Sequence, residues 1–324
     1  IVSLGCEGFN REQLANTIEA SGRSVETLVI QKSGGTKTSI ESGLESINEL
    51  LVAANKFETV SMGLNELVVG TICGGSDGTS GIGANPAVGH CFDRLIEKDA
   101  ICMFEETGEL IGCEQIMAER AITPELGEEI MKSVAKAEQY YTHMGYGSFA
   151  PGNAEGGLST QEEKSMGAYA KSGSSKIHGL IKPGDIPSQG GLYLMDVVPD
   201  GDPMFGFPNI VDSAEIVEMI ASGCHIILFT TGRGSVVGSA ISPVIKVCAN
   251  PETYENMSGD MDINAGKVIS GDATVQEVGN EIYDLVVQVA EGKPSKSEEL
   301  GHQEFVLTYK KFEGTGPSCL PTIR

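Results

Sequence analysis

Two thiols stand where short apolar segments of the chain end. Cys73 closes Leu67–Cys73 and leads into the glycine-rich turn 74–78, and Cys6 holds the same position after the opening segment Ile1–Gly5. A thiol beside a helix start has a lowered pKa, which suits it to act as a nucleophile or a metal ligand. The alternative is that both are small buried hydrophobic side chains, as most free cysteines are. Both thiols are therefore candidate metal ligands.

Three carboxylates follow another apolar segment, Ile101–Phe104. They belong to Glu105, Glu106 and Glu109. Carboxylates at a strand end can supply a general base or a metal ligand. Taken alone, the motif is equally typical of a solvated turn.

Arg233 lies in another glycine-rich turn, Thr230–Ser235, and a third such turn, Ser33–Thr36, follows the apolar segment Thr27–Gln31. The planar guanidinium of Arg233 can hold a carboxylate through two hydrogen bonds, and glycine lets backbone N–H groups approach an anion. The alternative is a tight turn whose arginine faces water. None of these turns has the spacing of a nucleotide-binding motif.

All three turns follow apolar segments and precede helices, so the elements that position these residues are strand–glycine-rich turn–helix units. Strands buried on both faces read as continuous apolar runs, as His225–Thr231 does. The alternation predicts an α/β fold with largely parallel sheets. Ligands of such sheets bind beyond the carboxyl ends of the strands. Helix starts are predicted at Thr123-Pro124 and at capping boxes, which are Thr38/Glu41, Thr160/Glu163, Asp212/Glu215 and Thr274/Glu277.

The chain has 324 residues, and at about 100–200 residues per domain we expect two. We predict two α/β domains, 1–150 and 151–324, joined by the glycine-rich stretch Gly145–Gly157. An irregular stretch, Pro199–Pro208, is long enough to be a functional loop. The opening segment lacks an initiator Met, so we expect residues upstream of Ile1.

Composition excludes several classes of protein. A net charge of −23 without a basic stripe repels phosphates, which argues against nucleic-acid binding. No run reaches the ~18 apolar residues of a membrane span, and no signal peptide is visible. The 8 cysteines contain no CxxC pair, so we expect free thiols in a reducing cytoplasm.

Six ordered motifs extend this picture. Together they resemble the altronate/galactarate dehydratase family, which includes the large subunit of sulfolactate sulfo-lyase, and the resemblance covers nearly the whole chain. The motifs are Ser33–Thr36, Cys73–Gly89, Glu106–Glu114, Asn153–Gly167, Thr230–Ser235 and Asp260–Asn264.

The resemblance implies a lyase that depends on a divalent metal, iron(II) or manganese. Members remove the C2 proton and then the C3 hydroxyl of a sugar acid, or sulfite from sulfolactate, and form a 2-keto acid. They also use a small SAF-type module, fused upstream or supplied as another subunit. We expect a small hydroxy-acid substrate and a homo-oligomer.

Roles can then be assigned to the candidate residues. A metal chelated by a carboxylate and a hydroxyl stabilises the charge that develops when a neighbouring proton leaves. The metal candidates are Cys6, Cys73 and Glu106. The catalytic candidates are Glu106, Asp77 and Lys164, although Lys164 is equally typical of a helix-surface ion pair. The substrate-binding candidates are Arg233, Asn153, Ser76, Thr230 and Gly75.

Several alternatives stay open at this point. Gly301–Phe305 is similar to the sulfo-lyase side of the family, whereas Gly74–Asp77 is similar to the sugar-acid dehydratases, and Asp196–Ile210 is longer than usual. The chain could therefore release water or sulfite. It could also be a non-catalytic scaffold subunit. An iron–sulfur dehydratase would need a third convergent thiol, for which Cys248 is the candidate.

Overall fold

The computed structural model describes residues 1–7, 10–145, 151–200 and 211–306. The chain divides into two compact units, with a border between Ser61 and Met62. No helix in these ranges is both long and apolar enough to cross a bilayer. The predicted loop Pro199–Pro208 lies almost entirely outside the described residues.

The first unit is a small α/β arrangement. Two short parallel strands pair Val2 with Leu28 and Ser3 with Val29. Its elements are β1 (Val2–Ser3), α1 (Arg11–Ala20), β2 (Leu28–Val29) and α2 (Thr36–Ala54). The predicted capping box Thr38/Glu41 is wrong, because α2 begins at Thr36 and its N-cap is Gly35, three residues before Thr38.

The second unit holds a seven-stranded, entirely parallel sheet. Its first half comprises β3 (Val68–Cys73), α3 (Ala84–Ile96), β4 (Ile101–Phe104), α4 (Glu114–Ala118), α5 (Pro124–Met144), α6 (Pro151–Glu155), α7 (Gln161–Ala170), β5 (Ile177–Ile181) and β6 (Gly191–Met195). Its second half comprises α8 (Asp212–Ala221), β7 (Ile226–Thr231), β8 (Val244–Cys248), α9 (Pro251–Asn256), β9 (Ile263–Asn264), α10 (Gly266–Ser270), α11 (Val275–Ala290) and α12 (Lys296–Glu299).

The sheet confirms the predicted α/β class. Every residue of β3, β4, β6, β7 and β8 is buried, as the apolar runs predicted. One face packs on α3 and α11 through Phe92, Leu95 and Ile282, and the other packs on α8 through Ile216 and Met219.

The sequence placed a domain border at residue 150, whereas the structural border lies near residue 61. Strands from both sides of residue 150 join one sheet, since β4 pairs with β6 from Ile101/Gly191 to Phe104/Leu194. A hydrogen-bonded sheet cannot be divided at that point, so residue 150 lies within the second unit.

Most predicted helix starts in the second unit are confirmed. Thr123 caps α5 with Pro124 in the first turn, Thr160 caps α7, and Thr274 forms a capping box with Glu277 at α11. The capping box predicted at Asp212 is wrong. Val211 is the N-cap of α8, and Asp212 is its first helical residue, which frees the Asp212 side chain for another contact.

Candidate active site

The strand order of the sheet defines where a ligand would bind. The order is β5-β6-β4-β3-β7-β8-β9, so the chain builds outward from β3 on one side and then returns to build from β7 on the other. Such a reversal opens a crevice beyond the carboxyl ends of the two central strands. Cys73 ends β3 and pairs in register with Thr230 of β7. The predicted turns 74–78 and 230–235 therefore both lie at this crevice.

A buried cluster of five side chains lies at the end of β3. The thiol of Cys73 is 3.3 Å from carboxylate oxygens of both Glu106 and Glu109, and it accepts a hydrogen bond from the Lys164 ammonium at 3.1 Å. Lys171 completes the cluster by pairing with Glu106. We call these residues the β3 cluster: Cys73, Glu106, Glu109, Lys164 and Lys171.

Charges in the β3 cluster are matched pairwise. Lys171 forms an ion pair with Glu106, and Lys164 forms one with Glu109. Buried ion pairs persist only when each charge is compensated, because an unpaired buried charge is costly. Lys164 also reaches the hydroxyl of Ser76, 3.3 Å away, which connects the cluster to the turn after β3.

The environment shifts the pKa values of Glu106 and Glu109 in opposite directions. Burial raises the pKa of Glu109 to about 7, and the neighbouring Glu106 adds to this. Burial opposes ionisation of Glu106 too, but Lys171 and then Lys164 overcome it and hold its pKa below the usual value. Glu106 is therefore a permanent anion. Glu109 can exchange a proton near neutrality, as a general base must.

Burial and the neighbouring charges also shift the pKa values of the Cys73 thiol and of the two lysines. Burial raises the pKa of Cys73 to about 12, with Glu106 and Glu109 contributing, so the thiol is protonated in the metal-free cluster. Burial opposes the charge on both lysines, but the surrounding carboxylates of Glu106 and Glu109 raise their pKa values above the usual range. Both lysines are therefore fixed cations.

Local backbone geometry brings Glu106 to Cys73. Glu106 has φ 74°, in the left-handed region that non-glycine residues seldom adopt. A 3₁₀ turn, Thr107–Leu110, follows and returns Glu109 to the same side. Strained backbone of this kind clusters at functional sites, and the Glu106 carboxylate also accepts a hydrogen bond from the Cys73 N–H at 3.3 Å.

A second group of predicted residues surrounds the turn after β3. The Gly75 carbonyl accepts a hydrogen bond from the Arg233 N–H at 2.8 Å. The Arg233 guanidinium donates to the Gly152 carbonyl, beside Asn153, which is buried. Gly75 (φ 59°) is in the left-handed region, and a Cβ there would lie 3.2 Å from the Gly234 carbonyl. Glycine is therefore required where the two turns meet.

Asp77 has a different environment from the one expected of a catalyst. Its carboxylate accepts hydrogen bonds from the backbone N–H and hydroxyl groups of Thr79 and Ser80, and from the Asn250 amide at 3.0 Å. A carboxylate with so many donors organises the turn and has few acceptor positions left for a substrate. Its catalytic role stays a prediction, and the geometry favours a positioning one.

The metal candidates separate into two sets. Cys73, Glu106 and Glu109 have donor atoms within 4.8 Å of one another, and no other such group of Cys, His, Asp or Glu occurs in the described ranges. Cys6 is exposed in the first unit, where Gln31 donates to its sulfur at 3.5 Å. Its role as a ligand stays a prediction. Cys248 lies against the Asn250 carbonyl, and no trio of thiols converges within the described part of the second unit.

The β3 cluster fits a divalent cation. Its thiol and carboxylates are donor types that divalent cations bind, and the Thr230 hydroxyl, in register with Cys73, is buried without a hydrogen-bond partner among the described residues. Such an unsatisfied polar atom is expected where a polar ligand binds.

Sequence reasoning missed Lys171 and assigned no role to Glu109. Lys171 lies seven residues after Lys164, a spacing that places both on one helix face. That spacing was the available signal. Glu109 was visible only as one of three carboxylates, and the 3₁₀ turn that brings it to Cys73 has no clear sequence signature.

Perturbed acids beside fixed cations, at the switch point of a parallel sheet, define an α/β protein with an enzyme-like site. Comparison with known protein families indicates the same class of protein. Residues 64–312 match the model described as D-galactarate/altronate dehydratase, C-terminal. Residues 1–55 match the second domain of D-galactarate dehydratase/altronate hydrolase. The chain belongs to the D-galactarate/altronate dehydratase family, as the sequence motifs had indicated.

Three relatives illustrate the family. The chain is 33% identical to the (2R)-sulfolactate sulfo-lyase subunit beta of Chromohalobacter salexigens, over 95% of this chain and 78% of the relative. It is 33% identical to the galactarate dehydratase (L-threo-forming) of Escherichia coli, over 90% of this chain and 56% of the relative. It is 32% identical to the altronate dehydratase of Bacillus subtilis, over 95% of this chain and 60% of the relative. The chain thus spans little more than half of each dehydratase.

Proposed function

We propose that this chain is the catalytic part of a metal-dependent hydro-lyase that removes water from a sugar acid such as galactarate or altronate. The observation that carries the proposal is the β3 cluster, where Glu109, with a pKa of about 7, contacts the Cys73 thiol and the Lys164 ammonium, and a second buried ammonium, that of Lys171, pairs with Glu106. Dehydration of a hydroxy acid needs a base for the C2 proton and cations for the negative charge that then develops. The cluster contains both.

Glu109 is the proposed base. Its side chain is 15% exposed, against 5% for Glu106, so a bound substrate reaches it more easily. As the C2–H bond breaks, Glu109 takes the proton and the electron pair forms the C2–C3 double bond. The C3–O bond breaks, and the leaving hydroxyl takes up the proton that Glu109 has accepted, so that water departs and the Glu109 carboxylate is restored. The enol product then becomes a 2-keto-3-deoxy acid.

The cations have separate tasks in this scheme. Lys164 faces Glu109, Cys73 and Ser76, so its ammonium stabilises negative charge on the substrate carboxylate during proton removal. Lys171 keeps Glu106 ionised and in place. Arg233 and Asn153, on the far side of the turn after β3, would bind the substrate's other carboxylate and hydroxyls. Cys73 and Glu106 would hold a divalent metal, which supplies Lewis-acid stabilisation when bound.

Sulfite release from sulfolactate is the second candidate. The sulfo-lyase subunit is covered over 78% of its length, more than either dehydratase. The same base and cations serve both reactions, because the C3–S bond breaks in place of the C3–O bond and sulfite leaves. The name of that relative, a beta subunit, also favours a complex with another subunit.

An assay of the complete enzyme tests the proposal. Galactarate, altronate and (2R)-sulfolactate are each supplied with iron(II) or manganese, and 2-keto acid and sulfite are measured. Replacing Glu109 by Gln should lower kcat at least about 100-fold, the range typical of losing a general base. The control Glu119→Gln changes an exposed carboxylate ten residues away and should keep activity. Full activity in both Cys73→Ala and Glu109→Gln would instead support a scaffold role.

A further inference from the structure

Asp212 is an acidic residue outside the β3 cluster whose carboxylate reaches the same strand end. It is the first residue of α8, and its side chain lies directly over Gly74. A Cβ added to Gly74 would lie 1.9 Å from Asp212 Oδ2 and 2.5 Å from the Phe229 ring. Position 74 must therefore be glycine for the Asp212 carboxylate to occupy this place.

The charges around Asp212 link it to the cluster. Burial raises the pKa of Asp212 to about 6, Glu106 adds to this, and Lys164 and Lys171 oppose it. These are the ionised members of the proposed site. The side chain thus lies within the electrostatic field of the cluster without being one of its ion-pair partners.

Asp212 also keeps its hydrogen-bonding capacity. Its carboxylate accepts a hydrogen bond from the Asp212 backbone N–H. No other described side chain donates to it, and the residue is half-buried. Asp77, by contrast, is fully occupied by Thr79, Ser80 and Asn250. A carboxylate is purely an acceptor, so a partly exposed one at a strand end suits a ligand that offers several hydroxyl groups.

We propose that Asp212 binds substrate hydroxyl groups and so selects polyhydroxy acids over sulfonated ones. The inference rests on the proposed function and narrows its substrate class. Hydroxyls donate strong, charge-assisted hydrogen bonds to a carboxylate. A sulfonate at the same position offers only acceptors and a second negative charge, which repels the carboxylate.

Two variants test the inference from different directions. Asp212→Asn removes the charge in nearly the same shape. Gly74→Ala keeps Asp212 but displaces its carboxylate. Each should raise KM for galactarate and altronate about tenfold or more, the loss of one charge-assisted hydrogen bond, with a smaller effect on kcat. Each should also reduce the preference for these acids over sulfolactate. The control Asp284→Asn changes an exposed residue of α11.

Calorimetric measurement of galactarate binding distinguishes a failure of the role of Asp212 from a failure of the proposed function. Thermal unfolding first establishes that each variant is folded. A wild-type enzyme that turns over galactarate, with unchanged KM and unchanged preference in both variants, overturns the role of Asp212 alone. A wild type that binds galactarate without turnover, and loses binding in Asp212→Asn, overturns the proposed function but keeps the inference. Absence of both binding and turnover overturns both.

Discussion

At the scale of single residues, the pairwise charge balance of the β3 cluster makes each member depend on its partner. Glu106 and Lys171 are both almost fully buried. Removing one of them leaves the other as an uncompensated charge, which typically costs about 3–5 kcal/mol. Replacing both by neutral side chains of similar shape removes that penalty.

We therefore expect Glu106→Gln to lower the free energy of unfolding by about 3–5 kcal/mol, and Glu106→Gln/Lys171→Met to recover most of the loss. Activity should stay lost in the double variant, because Glu106 is also a proposed metal ligand. Urea denaturation gives the stabilities, and a 2-keto acid assay gives the activity. A double variant no more stable than the single one would contradict the pairing.

The residue scale is also where sequence reasoning was most uneven. Cys73, Glu106 and Ser76 were named from strand ends and a glycine-rich turn, and Lys164 from a helix with a predicted cap. In the structure these four residues converge. Strand ends can be recognised locally, and parallel topology then brings them to one edge. Asp212 was read as a helix cap because its spacing to Glu215 fits that pattern. Only the tertiary contact with Gly74 reveals another use.

At the scale of elements, the two cluster lysines depend on how closely α7 approaches α3. A Cβ added to Gly89 of α3 would lie 2.3 Å from the Ala170 carbonyl and 2.8 Å from the Gly173 nitrogen. The Asn85 amide also donates to the Gly167 carbonyl at 2.9 Å. Backbone therefore meets backbone where α7 ends, next to Lys171.

Gly89→Ala should push the end of α7 away from α3. We expect a loss of about 1–3 kcal/mol from overpacking, with lower activity because Lys171 moves from Glu106. The control is Gly43→Ala in α2, where an added Cβ meets nothing within 4 Å. Because alanine has a higher helix propensity than glycine, Gly43→Ala should raise the free energy of unfolding by up to about 1 kcal/mol. Thermal unfolding and kcat measure both variants, and equal behaviour would refute the close-packing argument.

The elements themselves were largely predictable. Continuous apolar runs identified β3, β4 and β7, since only strands covered on both faces read that way. Helix caps identified α5, α7 and α11. The sheet's strand order was not predictable, because it depends on which strands pair across long stretches of chain. That order also decides that residue 150 lies inside a unit.

At the scale of the whole molecule, the two units differ in how much core they contain. The described buried residues of the first unit are Ser3, Ala15 and Ser39, whereas the second has a continuous core on both faces of its sheet. Along α2, an apolar stripe at helical spacing stays more than half exposed: Ile40, Leu44, Ile47 and Leu51. Burial of apolar surface is the main driving force of folding, so the first unit is expected to be the less stable.

Limited proteolysis should therefore begin near the border between the units. Phe57 is 84% exposed and follows the end of α2, and exposed, irregular segments are the preferred sites of cleavage. Chymotrypsin should cut after Phe57 and leave the second unit resistant, and mass spectrometry distinguishes this cut from one after the exposed Phe305. The variant Phe57→Ser should delay the cleavage near the border between the units. First cuts within β3 or β4 would show instead that the second unit opens before the first, contrary to its larger core.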